Sequence, residues 1–432
     1  MTVSVVGAGL AGCEAAWAAA ERGADVTLYE MKPKKMTPAH RYNGFAELVC
    51  SNSLKASRIE SAAGMLKEEM RILGSLTMEA ATKTAVDAGG ALAVNRTEFS
   101  DYITEKIRSH PRITVVEREI TEFPERDTVI ATGPLTSDAF ADTIYGRLGK
   151  ALSFYDAAAP IVTAESIDMT RAFFQSRYDK GGADYINCPF DKDEYERFHS
   201  ALVTAVTAPL HEFEDLTVYE GCMPVEVLAK RGADSVRYGC MKPVGLTDPR
   251  TGRRPYAAVQ LRKENKDGTL YNIVGFQTNL KFGEQKRVFG MIPGLENAEF
   301  VRYGVMHRNT FLNSPALLNS AFMLKGSENI FFAGQMTGVE GYTESAASGI
   351  VAGINITRSL KGLPPLQLPP TCMIGALARH VSTPNEDFQP MGANMGILPP
   401  LDTPIKGKQE RYAAIAERGT NDLKAAYERI IT

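Results

Sequence analysis

The residues of this chain best suited to covalent chemistry are its cysteines, at positions 13, 50, 188, 222, 240 and 372. None lies close enough in sequence to another to form a zinc site or a dithiol redox motif. A cysteine is most often a small buried hydrophobe, so a reactive thiol needs supporting context. Cys222 precedes Pro224, which suits a first helical turn, where the helix dipole would lower the thiol pKa. Cys50 precedes a Ser-Asn-Ser cluster typical of helix caps. The other four are interpreted as structural.

A glycine-rich turn at the start of the chain points to a bound nucleotide. A predicted strand over 2–6, an alanine-rich helix over 13–22 and a strand over 25–30 surround the turn, which consists of Gly7, Ala8, Gly9, Leu10, Ala11 and Gly12. Gly7 permits the tight turn, Gly9 lets the backbone approach a pyrophosphate, and Gly12 lets the helix pack on the strand. Glu30, which ends the second strand, would accept hydrogen bonds from a ribose and disfavour a 2′-phosphate. The pattern predicts FAD or NAD rather than NADP, although a methyltransferase using S-adenosylmethionine could carry the same turn.

A second segment of this kind lies near the C-terminus. Residues 329–335 predict a buried strand that ends in glycine, and a small-residue helix follows from about residue 341 to 356. This arrangement is typical of a flavin dinucleotide fold that the C-terminal part of the chain completes. We therefore expect an α/β fold with a Rossmann-type FAD-binding domain, of the glutathione-reductase-like kind, formed by residues 1–155 and 300–432. Residues 156–299 are expected to form a mixed α+β insertion domain.

The elements that must position these residues can be predicted from periodicity. Helices are expected over 66–81 and 96–109, the second capped by Thr97, and strands over 113–117 and 128–131. In the middle section, strand-like runs at 256–261, 270–275 and 288–291 predict antiparallel sheet. The long polar segment 31–58 is expected to be functional, because loops of this length inside a domain usually are.

Length and composition limit the possible functions. The chain has 432 residues, 44% of them hydrophobic, and a net charge of −3, which excludes disordered and coiled-coil classes. It has no run of about 18 apolar residues and no signal peptide, so we expect a cytoplasmic protein without a membrane partner.

Between residues 221 and 290 the sequence contains 13 Lys and Arg but only 6 Asp and Glu. This excess fits a solvated face as well as a nucleic-acid surface.

Four segments together resemble one protein family. They are the glycine turn with Glu30, the segment 49–55 (Val-Cys-Ser-Asn-Ser-Leu-Lys), the segment 219–226 (Tyr-Glu-Gly-Cys-Met-Pro-Val-Glu), and residues 332–349. In this order they are similar to the folate- and FAD-dependent tRNA (uracil-5-)-methyltransferases, the TrmFO family. The segments around Cys50 and Cys222 are specific to that family. The first and last segments are also shared with the MnmG flavoproteins, which modify the wobble uridine of tRNA.

The resemblance implies methylation of carbon 5 of the T-loop uridine, position 54, of tRNA to give ribothymidine. The implied cofactor is FAD, with 5,10-methylenetetrahydrofolate as one-carbon donor and NAD(P)H as reductant. It implies Cys222 as the nucleophile at carbon 6 and Cys50 as a second active-site thiol, which helps remove the carbon 5 proton or shields the flavin. Further implied contacts are Thr132, Gly133, Gly334 and Gln335 to the flavin, Tyr342 near its ring, and His307 on folate.

The partner implied by the resemblance is tRNA, and neither a metal nor an obligate protein partner is expected. The candidate RNA contacts are basic residues with interleaved aromatics: Lys230, Arg231, Arg237, Lys242, Arg253, Arg254, Arg262, Lys263, Tyr238 and Tyr256. Phosphate neutralisation and base stacking require these residue types.

Three other functions compete with this interpretation. An MnmG-like enzyme is usually longer and lacks the segment around Cys222. A flavin-dependent disulfide reductase would need a redox dithiol and a second complete dinucleotide fingerprint, and the sequence has neither. A non-catalytic flavin-binding RNA protein, with both cysteines structural, would keep every activity after Cys222→Ala.

Overall fold

The computed structural model describes residues 1–37, 39–125, 127–149, 152–157, 159–179, 182–208, 223–304, 306–385 and 388–431, without the side chains of 152–157, 306–310 and 430–431. In this part of the chain the α-helices are α1 (Leu10–Ala20), α2 (Ala62–Ile72), α3 (Leu76–Lys83), α4 (Arg96–Ser109), α5 (Asp138–Leu148), α6 (Lys192–Thr204), α7 (Val225–Lys230), α8 (Ser235–Tyr238), α9 (Phe282–Phe289), α10 (Ser314–Leu317), α11 (Tyr342–Leu360), α12 (Met373–His380) and α13 (Lys408–Ile431).

The strands of the same part of the chain are β1 (Thr2–Val6), β2 (Asp25–Glu30), β3 (Ser53–Ala56), β4 (Ala85–Val86), β5 (Ala91–Val94), β6 (Ile113–Glu117), β7 (Thr128–Ile130), β8 (Leu152–Ala157), β9 (Ile161–Thr163), β10 (Phe173–Phe174), β11 (Tyr185–Phe190), β12 (Ala257–Lys263), β13 (Leu270–Ile273), β14 (Phe300–Arg302), β15 (Met306–Phe311) and β16 (Ile330–Phe332).

A five-stranded parallel sheet of order β16-β7-β1-β2-β6 forms the centre of the nucleotide-type core. Strands from both ends of the sequence therefore lie side by side in one sheet. Helix α1 connects β1 to β2, and all its residues except Trp17 are buried. A helix that is apolar on every side must be covered on every side, and α11 packs along it. The carboxylate of Glu14 on α1 is also buried, where it accepts hydrogen bonds from the first backbone N–H groups of α3.

The middle of the chain forms a separate antiparallel sheet with its own core. Its six strands have the order β10-β11-β12-β13-β9-β14, and all of them lie between residues 161 and 302. The apolar side chains beneath it include Phe190, Phe198, Phe276 and Phe289. Two smaller sheets complete the strand pairing, β3-β5-β4 and β8-β15. The exact domain limits given above stay a prediction.

Two predicted elements differ from the structure. The strand predicted over 288–291 is wrong, because its first two residues end α9, where Gln285, Val288 and Phe289 are buried at helical spacing, and its last two follow the helix. The single helix predicted over 66–81 is two helices, α2 and α3. Gly74, at a φ of +81°, ends the first helix, and the Ser75 side chain caps the second.

Two predicted helix caps also differ. The cap of α4 is Asn95 rather than Thr97, since the Asn95 side chain accepts from the backbone N–H groups of Thr97 and Glu98. Residues 51–53 lead into the strand β3 instead of a helix. The described helices include none with the length and apolar character to span a membrane.

Candidate active site

The turn between β1 and α1 accepts only glycine at two positions. Gly7 has a φ of +98°, and a Cβ atom there would lie 2.7 Å from the carbonyl oxygen of Ala131. A Cβ atom on Gly12 would lie 1.7 Å from the carbonyl oxygen of Gly7. Both distances are far below van der Waals contact, so any side chain would force the turn open. The tight turn and the close helix packing expected from the sequence have this geometric basis.

The third glycine of the turn faces open space. A Cβ atom on Gly9 would meet no atom within 4 Å. Beside it lies a groove lined among others by Ala8, Glu30, Lys32, His40 and Thr132. The groove runs past the N-terminus of α1, whose free backbone N–H groups favour an anion. The turn therefore leaves room where a pyrophosphate is expected.

The carboxylate of Glu30 is buried at the side of this groove. Its Oε2 accepts from the backbone N–H of Ala8 at 2.8 Å, and its Oε1 accepts from that of Lys32 at 2.8 Å. A carboxylate has about four acceptor positions, so both oxygens can still accept from a ribose. Glu30 thus ties the glycine turn to the loop after β2 on the nucleotide side of the groove.

Glu30→Gln should weaken flavin binding by about 10-fold to 100-fold. The glutamine amide would turn an NH₂ group toward one of the two backbone N–H donors, and a buried unsatisfied donor costs about 1–3 kcal/mol. Titration of the apoprotein with FAD, followed by flavin fluorescence, measures the change. Glu117→Gln is the matched control: Glu117 ends the neighbouring strand β6 but pairs with Arg108 at 2.6 Å. An equal loss in both variants would contradict a specific role for Glu30.

The remaining residues of the predicted flavin site have three locations. Thr132 lines the groove, and Gly133 follows it with a φ of +72°. Leu10 and Ala11 are buried in the first turn of α1, behind the groove. Gly334 and Gln335 follow β16, on the neighbouring strand of the sheet. Their roles as flavin contacts stay a prediction.

Helix α11 reaches the same region because glycines let it approach α1. A Cβ atom on Gly349 would lie 2.1 Å from the carbonyl oxygen of Ala11, and one on Gly353 would lie 2.5 Å from that of Ala15. Ser348 accepts a hydrogen bond from the backbone N–H of Gly334 at 2.7 Å. The N-termini of two helices and the ends of β1 and β16 are thereby brought together.

Cys50 contacts the first residue of α11. The Tyr342 hydroxyl lies 2.9 Å from the Cys50 Sγ and accepts from the backbone N–H groups of Cys50 at 2.7 Å and Ser51 at 3.3 Å. Nearby, Lys55 pairs with the fully buried carboxylate of Glu344 at 2.8 Å. The segment that carries Cys50 is therefore anchored at two points on the first turn of α11.

Two predicted site residues cannot be placed in the same way. Cys222 lies outside the described residues. His307 lies in β15, where its backbone is opposite Asp156 of β8, and its side chain is outside the description. The cysteines interpreted as structural are consistent with that role: Cys13, Cys188 and Cys372 are buried, and burial raises the pKa of each thiol. Burial also raises the pKa of Cys240 to about 12.

Sequence reasoning missed the charged residues around Cys50. Arg96 donates to the backbone carbonyls of Leu48 and Val49 and pairs with Glu264. Arg262, predicted as an RNA contact, is instead buried beside Ser51 and Asn52. That prediction is wrong for Arg262, because a buried guanidinium cannot reach an RNA phosphate. In the sequence, the only indication of these buried charges was the abundance of basic residues between residues 221 and 290.

Comparison with known proteins gives the family. The model of glucose inhibited division protein A, GidA, matches residues 2–364. The methylenetetrahydrofolate–tRNA-(uracil-5-)-methyltransferase TrmFO of Heliobacterium modesticaldum is 59% identical over 427 residues, 98% of this chain and 97% of that protein. The TrmFO of Listeria innocua is 56% identical over 431 residues, 99% of each chain. The chain belongs to the TrmFO family. The resemblance found in the sequence is confirmed.

Solved structures add the fold. Aquifex aeolicus GidA in one crystal form matches with a TM-score of 0.69 and 16% identity, covering 99% of this chain and 75% of that chain. A second crystal form gives a TM-score of 0.67 and 17% identity, with 98% and 76% coverage. The predicted fold class, a Rossmann-type parallel core with a mixed insertion, is therefore confirmed for this TrmFO family member.

Proposed function

We propose that this protein methylates carbon 5 of the T-loop uridine, position 54, of tRNA, with FAD as cofactor. The carbon comes from 5,10-methylenetetrahydrofolate and the reducing equivalents from NAD(P)H. The observation that carries the proposal is identity of 56–59%, over nearly the whole chain, to proteins named as methyltransferases of this kind. The geometry supports it, because a dinucleotide-type groove and the half-buried residue Cys50 lie at the N-termini of two packed helices, α1 and α11.

The residues of the turn fit FAD. Gly9 leaves space for the pyrophosphate, the start of α1 offers N–H donors, and Glu30 offers acceptors to the ribose. When bound, the flavin supplies the hydride that takes the carbon from the formaldehyde level to methyl. The protein groups bind and orient the reactants.

The thiols supply the covalent chemistry. Carbon 5 of uracil is a weak nucleophile, and addition of a thiolate to carbon 6 turns the ring into an enolate that attacks a one-carbon electrophile. We assign this addition to Cys222, by its match to the family segment. Removal of the carbon 5 proton then needs a base, and we assign it to Cys50, which lies 2.9 Å from the Tyr342 hydroxyl.

An exposed surface next to α7 and α8 is the proposed tRNA contact. The guanidinium of Arg237 lies over the rings of Tyr256, at 4.0 Å, and Tyr238, at 5.0 Å. The Tyr238 side chain is 68% exposed, so its ring is free to stack on an unpaired base. The other exposed basic residues that we propose as tRNA contacts are Lys230, Arg231, Lys242, Arg253 and Arg254, and Lys263 lies 3.6 Å from Asp87.

A reconstituted assay tests the function. Purified protein is incubated with unmodified tRNA transcript, FAD, NADPH and methylenetetrahydrofolate, and the digested nucleosides are analysed. We expect ribothymidine only when folate is present, and none when S-adenosylmethionine replaces it. A transcript with cytidine at position 54 is the matched RNA control and should stay unmodified. Protein that binds flavin yet forms no ribothymidine would refute the proposed function while leaving the fold intact.

A further inference from the structure

The hydrogen bonds around Tyr342 fix the direction of its contact with Cys50. Its phenolic oxygen accepts from two backbone N–H groups, those of Cys50 and Ser51. A phenol has one proton and two acceptor positions. With both acceptor positions occupied, the proton is left for the Cys50 Sγ at 2.9 Å. A sulfur that accepts a hydrogen bond from a hydroxyl is stabilised when it carries negative charge.

Positive charge surrounds the same sulfur. Arg262, on β12, donates from Nε to the Asn52 side chain at 3.0 Å and from Nη2 to the Ser51 hydroxyl at 2.8 Å. Arg302, on β14, is half-buried, and the charges of Tyr342 and Cys50 both favour its protonated form. The Arg262 guanidinium is therefore held on the segment that carries the thiol, and Arg302 adds positive charge to its surroundings.

Among the described side chains around Cys50, cations outnumber carboxylates. Arg96, on α4, holds the Leu48 and Val49 carbonyls and pairs with Glu264. Among the described side chains, Arg96, Arg262 and Arg302 share the carboxylate of Glu264. The charged form of Cys50 also favours the protonated forms of Arg262 and Arg302, as does a tyrosine in each case, Tyr185 for Arg262 and Tyr342 for Arg302. Uncompensated buried cations are costly, so an anion among them is favoured.

We propose that Tyr342, Arg96, Arg262 and Arg302 hold the Cys50 sulfur as a thiolate at neutral pH, ready to accept the carbon 5 proton of the uracil. That the accepted proton comes from carbon 5 of uracil rests on the proposed function, whereas the thiolate state of Cys50 does not. In the step, the carbon 5–hydrogen bond breaks, an S–H bond forms on Cys50, and the electron pair stays on the pyrimidine ring. Tyr342 and the arginines are positioning residues that act through Cys50.

The titration of the surrounding groups agrees with this arrangement. Burial and the neighbouring Cys50 raise the pKa of Tyr342, so the phenol keeps its proton and remains a donor. Burial lowers the pKa of Arg262 and of Arg302, and the neighbouring anionic groups, Glu264 and Cys50 among them, oppose that lowering. A thiolate at Cys50 supplies the missing negative charge.

Alkylation of Cys50 at different pH values tests the inference without tRNA or folate. The full-length protein is treated with iodoacetamide across a pH series, and the Cys50 peptide is quantified by mass spectrometry. An ordinary thiol titrates near pH 8.5. We expect the wild-type midpoint to lie at least about one pH unit lower, and Tyr342→Phe to raise it by about one unit. Tyr102→Phe, whose hydroxyl contacts Glu79 instead, should leave it unchanged.

A second pair of variants separates charge from folding. Arg302→Gln should raise the Cys50 midpoint, whereas Arg302→Lys should restore most of the wild-type value because it keeps the positive charge. A wild-type midpoint near 8.5, or one that neither Tyr342→Phe nor Arg302→Gln moves, would overturn the inference. A low midpoint in a protein that makes no ribothymidine would refute the proposed function alone.

Discussion

Gly349→Ala should deprive the protein of its bound FAD and lower the free energy of unfolding by about 3 kcal/mol. The new Cβ atom would lie 2.1 Å from the carbonyl oxygen of Ala11, which is backbone and cannot rotate away. Relief requires α1 and α11 to separate, and overpacking of this kind costs about 1–3 kcal/mol or more. Separation would also move Gly9, which immediately precedes α1, away from its place at the groove.

The measurement combines flavin content with urea denaturation. The ratio of flavin absorbance to protein absorbance reports FAD, and the denaturation midpoint reports stability. Gly146→Ala is the matched control, because Gly146 lies inside α5 and a Cβ atom there would meet nothing within 4 Å. Alanine should stabilise α5 by about 0.5–1 kcal/mol, since it favours the helix more than glycine does. A flavin-loaded, fully stable Gly349→Ala protein would show that the two helices are not in such close contact.

The glycine turn could be predicted because its constraints are local. The positive φ of Gly7 and the closeness of Gly12 to the Gly7 carbonyl are set within the turn itself, and Gly9 lies between these two residues. The same holds for β2 and the position of Glu30 at its end. Residues 329–335 and the helix after them could be found for the same reason, since a buried strand followed by a small-residue helix is visible in a short stretch of sequence.

The surroundings of Cys50 could not be predicted, because they depend on distant segments. Tyr342 stands 292 residues from Cys50, and Arg262 stands 210 residues from Asn52. In the sequence Arg262 is one more basic residue of a basic section, and only the packing of β12 against the Cys50 segment shows that it is buried. The sequence indicated a reactive thiol at Cys50 because a helix cap was predicted next to it. The structure supports a reactive Cys50 through its contact with Tyr342 and the neighbouring arginines.

The strand predicted over 288–291 shows a different limit of prediction from sequence. A short apolar run is compatible with a strand or with the end of a helix. Gln285 decides between them: its side chain is buried and its amide donates to the carbonyls of Leu280 and Gly304, at 2.7 and 2.8 Å. A search for apolar periodicity counts only apolar residues, so it misses a helix whose buried face includes a glutamine.

Cys222→Ala should abolish ribothymidine formation, by roughly 10³-fold or more, while FAD binding stays intact. Without the thiolate, carbon 5 of the uracil is not activated, and the other protein groups cannot replace a missing nucleophile. Cys50→Ala should lower the rate by about 10²-fold to 10⁴-fold, the usual contribution of a positioned base. Nucleoside analysis measures both. Cys240→Ser, a half-buried cysteine outside the proposed chemistry, should keep its activity.

A transcript with 5-fluorouridine at position 54 separates the two roles. Addition to carbon 6 needs only the nucleophile, but fluorine at carbon 5 cannot leave as a proton does, so a covalent protein–RNA adduct accumulates. The wild type and Cys50→Ala should form this adduct on a denaturing gel, and Cys222→Ala should not. The opposite pattern would make Cys50 the nucleophile, and its thiolate would then attack carbon 6 instead of accepting the carbon 5 proton. Ribothymidine formation by both alanine variants would exclude thiol chemistry altogether, because no other part of the proposed mechanism activates the ring.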